Sequence, residues 1–305
     1  MTQRRVLVTG ASGFIGRRAL EPLQDAGFEV HAVARGAGAP AGTPADVTWH
    51  AADLLDPAAR RALIETVGAS HLLHLAWYAE PGAFWAAREN AAWAAATIGL
   101  LDEFAVAGGE RATLAGTCAE YDWSAPQPLS EDAPLAPATF YGACKDATRR
   151  VVEGLAGLAG LSFAWGRIFF LYGPHEDERR LVASVARALV AGERAPTSTG
   201  LQRRDFLHVD DVAGTFAAIL GSDAEGPVNV GSGEAVTVHS IARRLADAAG
   251  RPELLDVGTL PDRPGEPAEI VADIVRVRDE VGFTPRFGLD EGLAATVDWW
   301  RAQLR

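Results

Sequence analysis

The chain of 305 residues has only two cysteines, Cys118 and Cys144, and a single methionine at position 1. Two cysteines are too few for a disulfide framework or a cysteine-based zinc site. No apolar run reaches the roughly 18 residues that a membrane-spanning helix needs. The first apolar run starts at Val6 and is broken by Gly10, too soon for a secretory leader, so the expected compartment is the cytoplasm. Positive charge is in deficit: 28 Lys and Arg stand against 40 Asp and Glu, a formal net charge of −12. That balance argues against nucleic acid as a partner, although a few local arginines suffice to hold a small anion. Seven histidines show no ligand spacing; His71 and His74 lie three apart in an extended run and so point to opposite faces. No metal site is expected.

The scarcest functional residue is lysine. Against 27 arginines there is one, Lys145. An ammonium is a compact point charge on a flexible stem whose protonation can be tuned, which a guanidinium does not offer. Position 145 is expected to need those properties.

With 48% apolar and 22% charged residues, the chain can bury a sizeable core. Residues 5–9, 28–34, 47–50, 71–76, 111–115 and 162–169 read as strands, separated by helical stretches at 15–26, 56–67, 84–107 and 143–159. This alternation predicts an α/β fold with a doubly wound parallel sheet covered on both faces. Beyond Gly173 the pattern loosens. Helices are expected over 181–191, 209–220 and 238–249, with a polar stretch after the first and a return to the sheet at 228–230. Residues 36–44 and 261–267 read as loops. The expected division is a dinucleotide-binding domain over 1–169, to which 205–231 returns, and a smaller, partly interleaved domain over 170–305.

Val6 to Gly16 reads as a strand, a glycine turn and a helix start. Gly10, Gly13 and Gly16 let the backbone turn sharply and approach a diphosphate, and the helix N-terminus supplies N–H groups to it. In that context the triplet predicts Rossmann-type dinucleotide binding, with Ser12, Phe14 and Ile15 in the turn. The end of the second strand reads His31-Ala32-Val33-Ala34-Arg35-Gly36, with no carboxylate for the ribose hydroxyls. An arginine there pairs with a 2′-phosphate, so NADP(H) is favoured and NAD(H) stays possible; Arg35 as a mere solvated loop residue is the plainer alternative. Asp53 is a candidate for the adenine edge or for a helix cap ahead of Pro57.

Tyr141 and Lys145 stand four apart, hence on one helix face. A free phenol has a pKa of about 10; a neighbouring ammonium and an oxidised nicotinamide both favour the phenolate. This pair is expected to move a proton. Thr117 is expected at the carboxyl end of the fifth strand, where its hydroxyl can bond the same reacting oxygen.

From here the chain resembles the extended short-chain dehydrogenase/reductases, the NAD-dependent epimerase/dehydratase group that acts on nucleotide sugars. The likeness runs nearly end to end through Thr9–Gly16, Asp53-Leu54, His74-Leu75-Ala76, Asn90, Thr117…Tyr141…Lys145 and Arg167…Tyr172-Gly173-Pro174. It continues in Arg204-Asp205-Phe206, His208–Val212, Asn229–Gly233, Arg263-Pro264-Gly265 and the closing Trp299-Trp300. The resemblance implies that Thr117, Tyr141 and Lys145 are catalytic, that Lys145 also holds the nicotinamide ribose, and that Leu54, Leu75 and Ala76 line the cofactor crevice. It further implies that Arg204 and Arg263 contact a nucleotide-sugar diphosphate. A homodimer through the helices at 84–107 and 143–159 is implied as well, with Trp85 and Trp93 as interface or core.

Departures from the family pattern narrow the chemistry. The sugar dehydratases of the group carry Asp-Glu directly after the catalytic Thr, where this chain has Cys118 and Ala119. A common Asn before Tyr-Gly-Pro is Phe170 here, in the substrate pocket. Glu120, charged where relatives are often apolar, is read either as a substrate contact or as the partner of a nearby arginine. The expected activity is an NADP-dependent ketoreductase of a nucleoside-diphosphate keto-sugar, a 4-keto-6-deoxy sugar in particular. The alternatives are a nucleotide-sugar epimerase, a non-sugar carbonyl reductase of the same fold, and a cofactor-binding sensor without turnover.

Overall fold

Val6, Leu7 and Val8 are enclosed, as are Leu72 and Leu73 and all seven residues of Arg111–Thr117. Strands without a solvent face belong to a parallel sheet covered on both sides. The structure, a computed structural model, describes residues 4–36, 38–39 and 42–305. The loop expected over 36–44 therefore lies partly outside the described residues.

The chain opens with β1 (Arg5–Thr9), α1 (Gly16–Asp25), β2 (Glu29–Ala34), β3 (Thr48–Ala51), α2 (Pro57–Val67) and β4 (His71–His74). There follow α3 (Glu89–Val106), β5 (Arg111–Thr117), a 3-10 turn (Cys118–Glu120), α4 (Phe140–Ala159), β6 (Ser162–Ile168) and β7 (Phe170–Tyr172). Next come α5 (Leu181–Val190), β8 (Ala195–Pro196), β9 (Arg203–His208), α6 (Val209–Gly221) and β10 (Gly226–Val230). The last part holds β11 (Ala235–Thr237), α7 (Val238–Ala249), β12 (Leu255–Asp256), β13 (Glu269–Ile270), α8 (Val275–Asp279) and α9 (Leu289–Gln303).

Seven parallel strands form one sheet in the order β10-β6-β5-β4-β1-β2-β3. The order reverses between β1 and β4, and a crevice opens outside the carboxyl ends at such a switch point. One face packs against α1 and α6 through Leu20, Leu23, Phe216 and Ile219. The other packs against α2, α3 and α4 through Leu63, Leu100, Phe104 and Val152. A smaller layer gathers α5, α7 and α9 around Val182, Leu189, Ile241 and Val297, beside the short sheet β11-β9-β13 to which β7 adds. Within 205–231, α6 packs on the large sheet and β10 joins it, whereas 205–208 belong to β9 of the small one.

Several boundaries differ from the expected ones for identifiable reasons. The helix expected from residue 84 starts at Glu89. The Asn90 amide donates to the carbonyls of Phe84 (2.7 Å) and Ala87 (2.9 Å), holding 81–88 as a loop. The helix expected from residue 143 starts at Phe140, because the Thr139 hydroxyl caps the Gly142 N–H at 3.1 Å. That places Tyr141 in the first turn of α4. The expected polar stretch after α5 contains β9, whose consecutive residues Arg204 and Asp205, on opposite faces of the strand, are both buried. Asp205 accepts from the backbone of Ser232 (2.6 Å), Gly233 (3.0 Å) and Ala272 (3.1 Å), so its carboxylate takes the place of an apolar core residue.

Candidate functional site

Three chain segments meet where the strand order reverses. Gly10, at φ 69°, follows β1 and lies against Leu75 and Ala76 after β4: a Cβ on Gly10 would fall 2.7 Å from the Ala76 nitrogen. Gly16 is as confined, its Cβ reaching 2.1 Å from the Gly10 oxygen. Gly13 differs. Its N–H donates to Gly10 O at 2.9 Å, it is exposed, and the nearest atom to an added Cβ is that oxygen at 3.0 Å. Two glycines thus serve close packing and one leaves the mouth of the turn open at the N-terminus of α1, as a bound diphosphate requires. Ser12, Phe14 and Ile15 line the turn, half-buried.

Arg35 directly follows β2 and is exposed; Asp53 stands two residues past β3, also exposed. Asp53 is not the cap of α2. Asp56 fills that place, accepting from Ala58 N at 2.8 Å ahead of Pro57, while Asp53 accepts from Leu55 N at 3.0 Å. Leu54 is buried behind them.

Thr117 ends β5 and caps the 3-10 turn, its hydroxyl accepting from Ala119 N at 3.2 Å. Across from it, a Cβ on Gly142 would come within 2.2 Å of Ala119 O. The absence of that carbon lets the first turn of α4 press onto the 3-10 turn. Tyr141 is thereby brought to Thr117, whose hydroxyl favours the phenolate. Lys145, one helical turn on, is 3% exposed, donates to Ala115 O at 2.8 Å and lies 3.8 Å from the centroid of the Trp77 ring. Trp77 in turn donates to the Asn90 carbonyl oxygen at 2.8 Å. Phe84 meets the Tyr141 ring edge-on at 5.0 Å, Trp85 lies 5.9 Å away, and Trp123 packs on Trp85 at 6.5 Å. Trp85 therefore belongs to the loop before α3 and to the surroundings of Tyr141, not to a helix face; Trp93 is half-buried against the sheet.

The electrostatics correct one expectation. Burial holds the Tyr141 phenol above its ordinary value, and the Thr117 hydroxyl opposes that rise; Arg180 also opposes it, more weakly. Burial brings the Lys145 ammonium down to about 7, with Glu120 working in the other direction. Lys145, expected to favour the phenolate, is not among the groups that lower the phenol; Thr117 is the main counterweight. Nearby His74 is pushed down to about 3 by burial and stays neutral between the hydroxyls of Thr9 and Thr97.

The substrate-side candidates separate. Glu120 is fully enclosed and paired with Arg167 (2.9 Å), which answers the open question of its role in favour of the arginine and corrects its place among the substrate contacts. Arg204 is also buried: it donates to Glu266 at 2.9 Å and stacks 5.5 Å from the centroid of half-buried Phe170. Arg263 is exposed on the loop that carries Glu266. Arg180, its guanidinium 5.1 Å from the Phe84 ring centroid, was absent from the sequence-based set, since nothing local marks it. Gly142 was absent too. Glu120 had a legible signal: Thr117-Cys118-Ala119-Glu120 has Thr-x-x-Glu spacing, and the capping box forms.

The sequence profile of the NAD dependent epimerase/dehydratase family matches residues 6–231. The chain belongs to that family. It is 27% identical over 330 residues to a UDP-glucose 4-epimerase of Azospirillum brasilense, covering 98% of this chain and 92% of the relative. A dTDP-glucose 4,6-dehydratase of Streptomyces griseus is 28% identical over 312 residues, covering 97% of this chain and 93% of that one. Among solved structures, the UDP-glucose 4-epimerase of Thermus thermophilus in complex with NAD superposes with a TM-score of 0.84 at 28% identity, over 97% of this chain and 99% of that one. An oxidoreductase-type enzyme of this epimerase/dehydratase family is the activity class to which the chain is assigned. Among the described residues no helix is long and apolar enough to cross a membrane.

Proposed function

We propose that the protein is a nicotinamide-dependent ketoreductase of a nucleoside-diphosphate keto-sugar, a 4-keto-6-deoxy hexose in particular. The observation that carries it is the meeting of Thr117 and Tyr141, with Lys145 one turn on, at the carboxyl edge beside the glycine turn. The glycine cradle fits a dinucleotide, which supplies the hydride when bound. Tyr141 gives its phenolic proton to the carbonyl oxygen as charge develops there. Thr117 aligns that oxygen, and Lys145 holds the ribose. A phenol held above its ordinary value is protonated at neutral pH, the state that reduction consumes.

Elimination of water is disfavoured by the residues after Thr117. The Cys118 thiol is pushed up to about 12 by burial, and Ala119 carries no titratable group. Phe84, Trp85 and Trp123 give the surroundings of Tyr141 an apolar wall that suits the methyl of a deoxy sugar better than a hydroxymethyl. Arg204, Arg263 and Arg180 supply the charge for a diphosphate.

For the dinucleotide, likeness to a structure that holds NAD supports NAD(H). Arg35, exposed after β2, supports NADP(H). A nucleotide-sugar epimerase is the second reading, supported by similarity to epimerases along nearly the whole chain. Incubation with a panel of UDP- and dTDP-linked hexoses and 4-keto-6-deoxy hexoses, following added NADPH and NADH, separates the two. Stoichiometric consumption with a keto-sugar supports the reductase; interconversion of 4-epimers without added cofactor, by protein purified with NAD, overturns it.

The assembly is read as a homodimer through the outer faces of α3 and α4, where Val106, Phe140, Val151 and Leu158 are exposed. The place of action is read as the cytoplasm, where reduced nicotinamide is supplied.

A further inference from the structure

The steps above make no use of Glu120 and Arg167, although these two charges are among the most enclosed side chains, at 0% and 1% exposure. Taking an ion pair out of water is costly, and an apolar pair of the same volume is often as stable. Stability alone is a poor account of its presence. Glu120 Oε1 accepts from Thr117 N and from the Trp165 indole N–H, each at 2.9 Å, and Oε2 accepts from Arg167 Nε at 2.9 Å. Arg167 donates further to Tyr121 OH at 2.9 Å and Glu131 O at 3.0 Å, and the Tyr121 hydroxyl donates to Asn229 at 2.7 Å. The carboxyl ends of β5, β6 and β10 are pinned by this one network.

Trp165 connects the network to Lys145. Its indole N–H points at Glu120, and its ring centroid lies 5.8 Å from the Lys145 ammonium. An indole whose N–H is bound by a carboxylate carries more negative charge on its face, which favours a cation there. We propose that Glu120, clamped by Arg167, is a positioning residue for the proton-transfer groups: through its oxygens it fixes Thr117, and through Trp165 it favours the ammonium form of Lys145. This rests on Thr117, Tyr141 and Lys145 being those groups.

The groups facing Lys145 are few. Ala115 O comes from β5, Trp165 from β6, neutral His74 from β4, Trp77 from the loop after β4, and Glu120 from the 3-10 turn. On α4 itself, Asp146 is turned to Arg149 and Arg150. Glu120 is the acidic group that holds Lys145 up against its burial.

Because Lys145 is the sole lysine, growth on [ε-13C]lysine labels one side chain, and its carbon shift against pH titrates that ammonium directly, with no substrate. In the wild type the midpoint is expected near neutrality. In Glu120→Gln it is expected about one pH unit lower. Where Glu120→Gln fails to fold around an unpaired Arg167, Glu120→Gln/Arg167→Gln leaves an uncharged pair and is expected to show the same fall. A folded variant of either kind with the wild-type midpoint overturns the proposal. Turnover of Tyr141→Phe tests the assignment of the pair separately: wild-type activity there removes that assignment and leaves the lysine titration standing.

Discussion

The Ala119 carbonyl oxygen and Gly142 approach so closely that a Cβ on Gly142 would lie 2.2 Å from it. This contact seats α4 on the 3-10 turn and brings Tyr141 to Thr117. Gly142→Ala must push the two apart, because a carbonyl of the main chain has nowhere to yield. A fall in kcat of about tenfold or more is expected, with secondary structure by circular dichroism unchanged. Wild-type kcat would mean that the contact does not set the Tyr141 position.

Gly13 and Gly10 are expected to respond differently to the same methyl group. Gly13→Ala meets only one oxygen at 3.0 Å, so its melting temperature should stay within about 2 °C of the wild type. Its affinity for the dinucleotide should fall by about tenfold or more, since the methyl occupies the open side of the turn. Gly10→Ala combines a φ of 69° with a 2.7 Å backbone contact and should lower the melting temperature itself. Differential scanning calorimetry and a fluorescence titration with NADH and NADPH distinguish the two effects.

Lys145 makes stability depend on pH in a definable direction. Its folded value is near 7, below the ordinary 10.5, so between those values the unfolded chain binds the additional proton. Stability therefore rises with pH across that window, by up to about 1.4 kcal/mol per unit from this group. Below pH 7 the contribution is constant. Urea melts at pH 7, 8 and 9 should show the wild type gaining on Lys145→Met as pH rises; parallel curves would place the lysine in contact with water.

Arg35→Asp tests the cofactor. The guanidinium is exposed directly after β2, where a carboxylate would bind ribose hydroxyls and repel a 2′-phosphate. NADPH affinity should fall by about tenfold or more while NADH affinity changes by less than about threefold. An equal loss for both removes Arg35 from the ribose site.

Leu158 is 89% exposed near the end of α4, with Val151 at 45% on the preceding turns. Apolar side chains so placed are covered if α3 and α4 meet their copies. Sedimentation of the wild type is expected to give twice the chain mass, and Leu158→Glu to give the monomer. A monomeric wild type would overturn the dimer.

Much of the fold and part of the site were legible along the chain. The glycine turn and the Tyr-x-x-x-Lys pair, which contains the lone lysine, each span only a few residues, and the meaning of each depends on backbone geometry over its own span. The apolar runs of β1, β4 and β5 are likewise local. Strand β9 was not visible, because two of its buried residues are the charged Arg204 and Asp205. Charged residues read as surface until the backbone N–H groups of Ser232, Gly233 and Ala272 are seen to surround the aspartate.

By itself, the sequence determined the parallel α/β architecture, the glycine turn after β1 and the helical face shared by Tyr141 and Lys145. Spacing of three or four residues and runs of buried hydrophobes suffice for those. The tertiary structure alone decided that Glu120 faces Arg167, 47 positions away, and that burial brings the ammonium of the lone lysine down to about 7. Both depend on which groups exclude water from a charge. That is a property of the enclosing side chains, contributed by β4, β5 and β6, and no local pattern at residue 120 or 145 contains it.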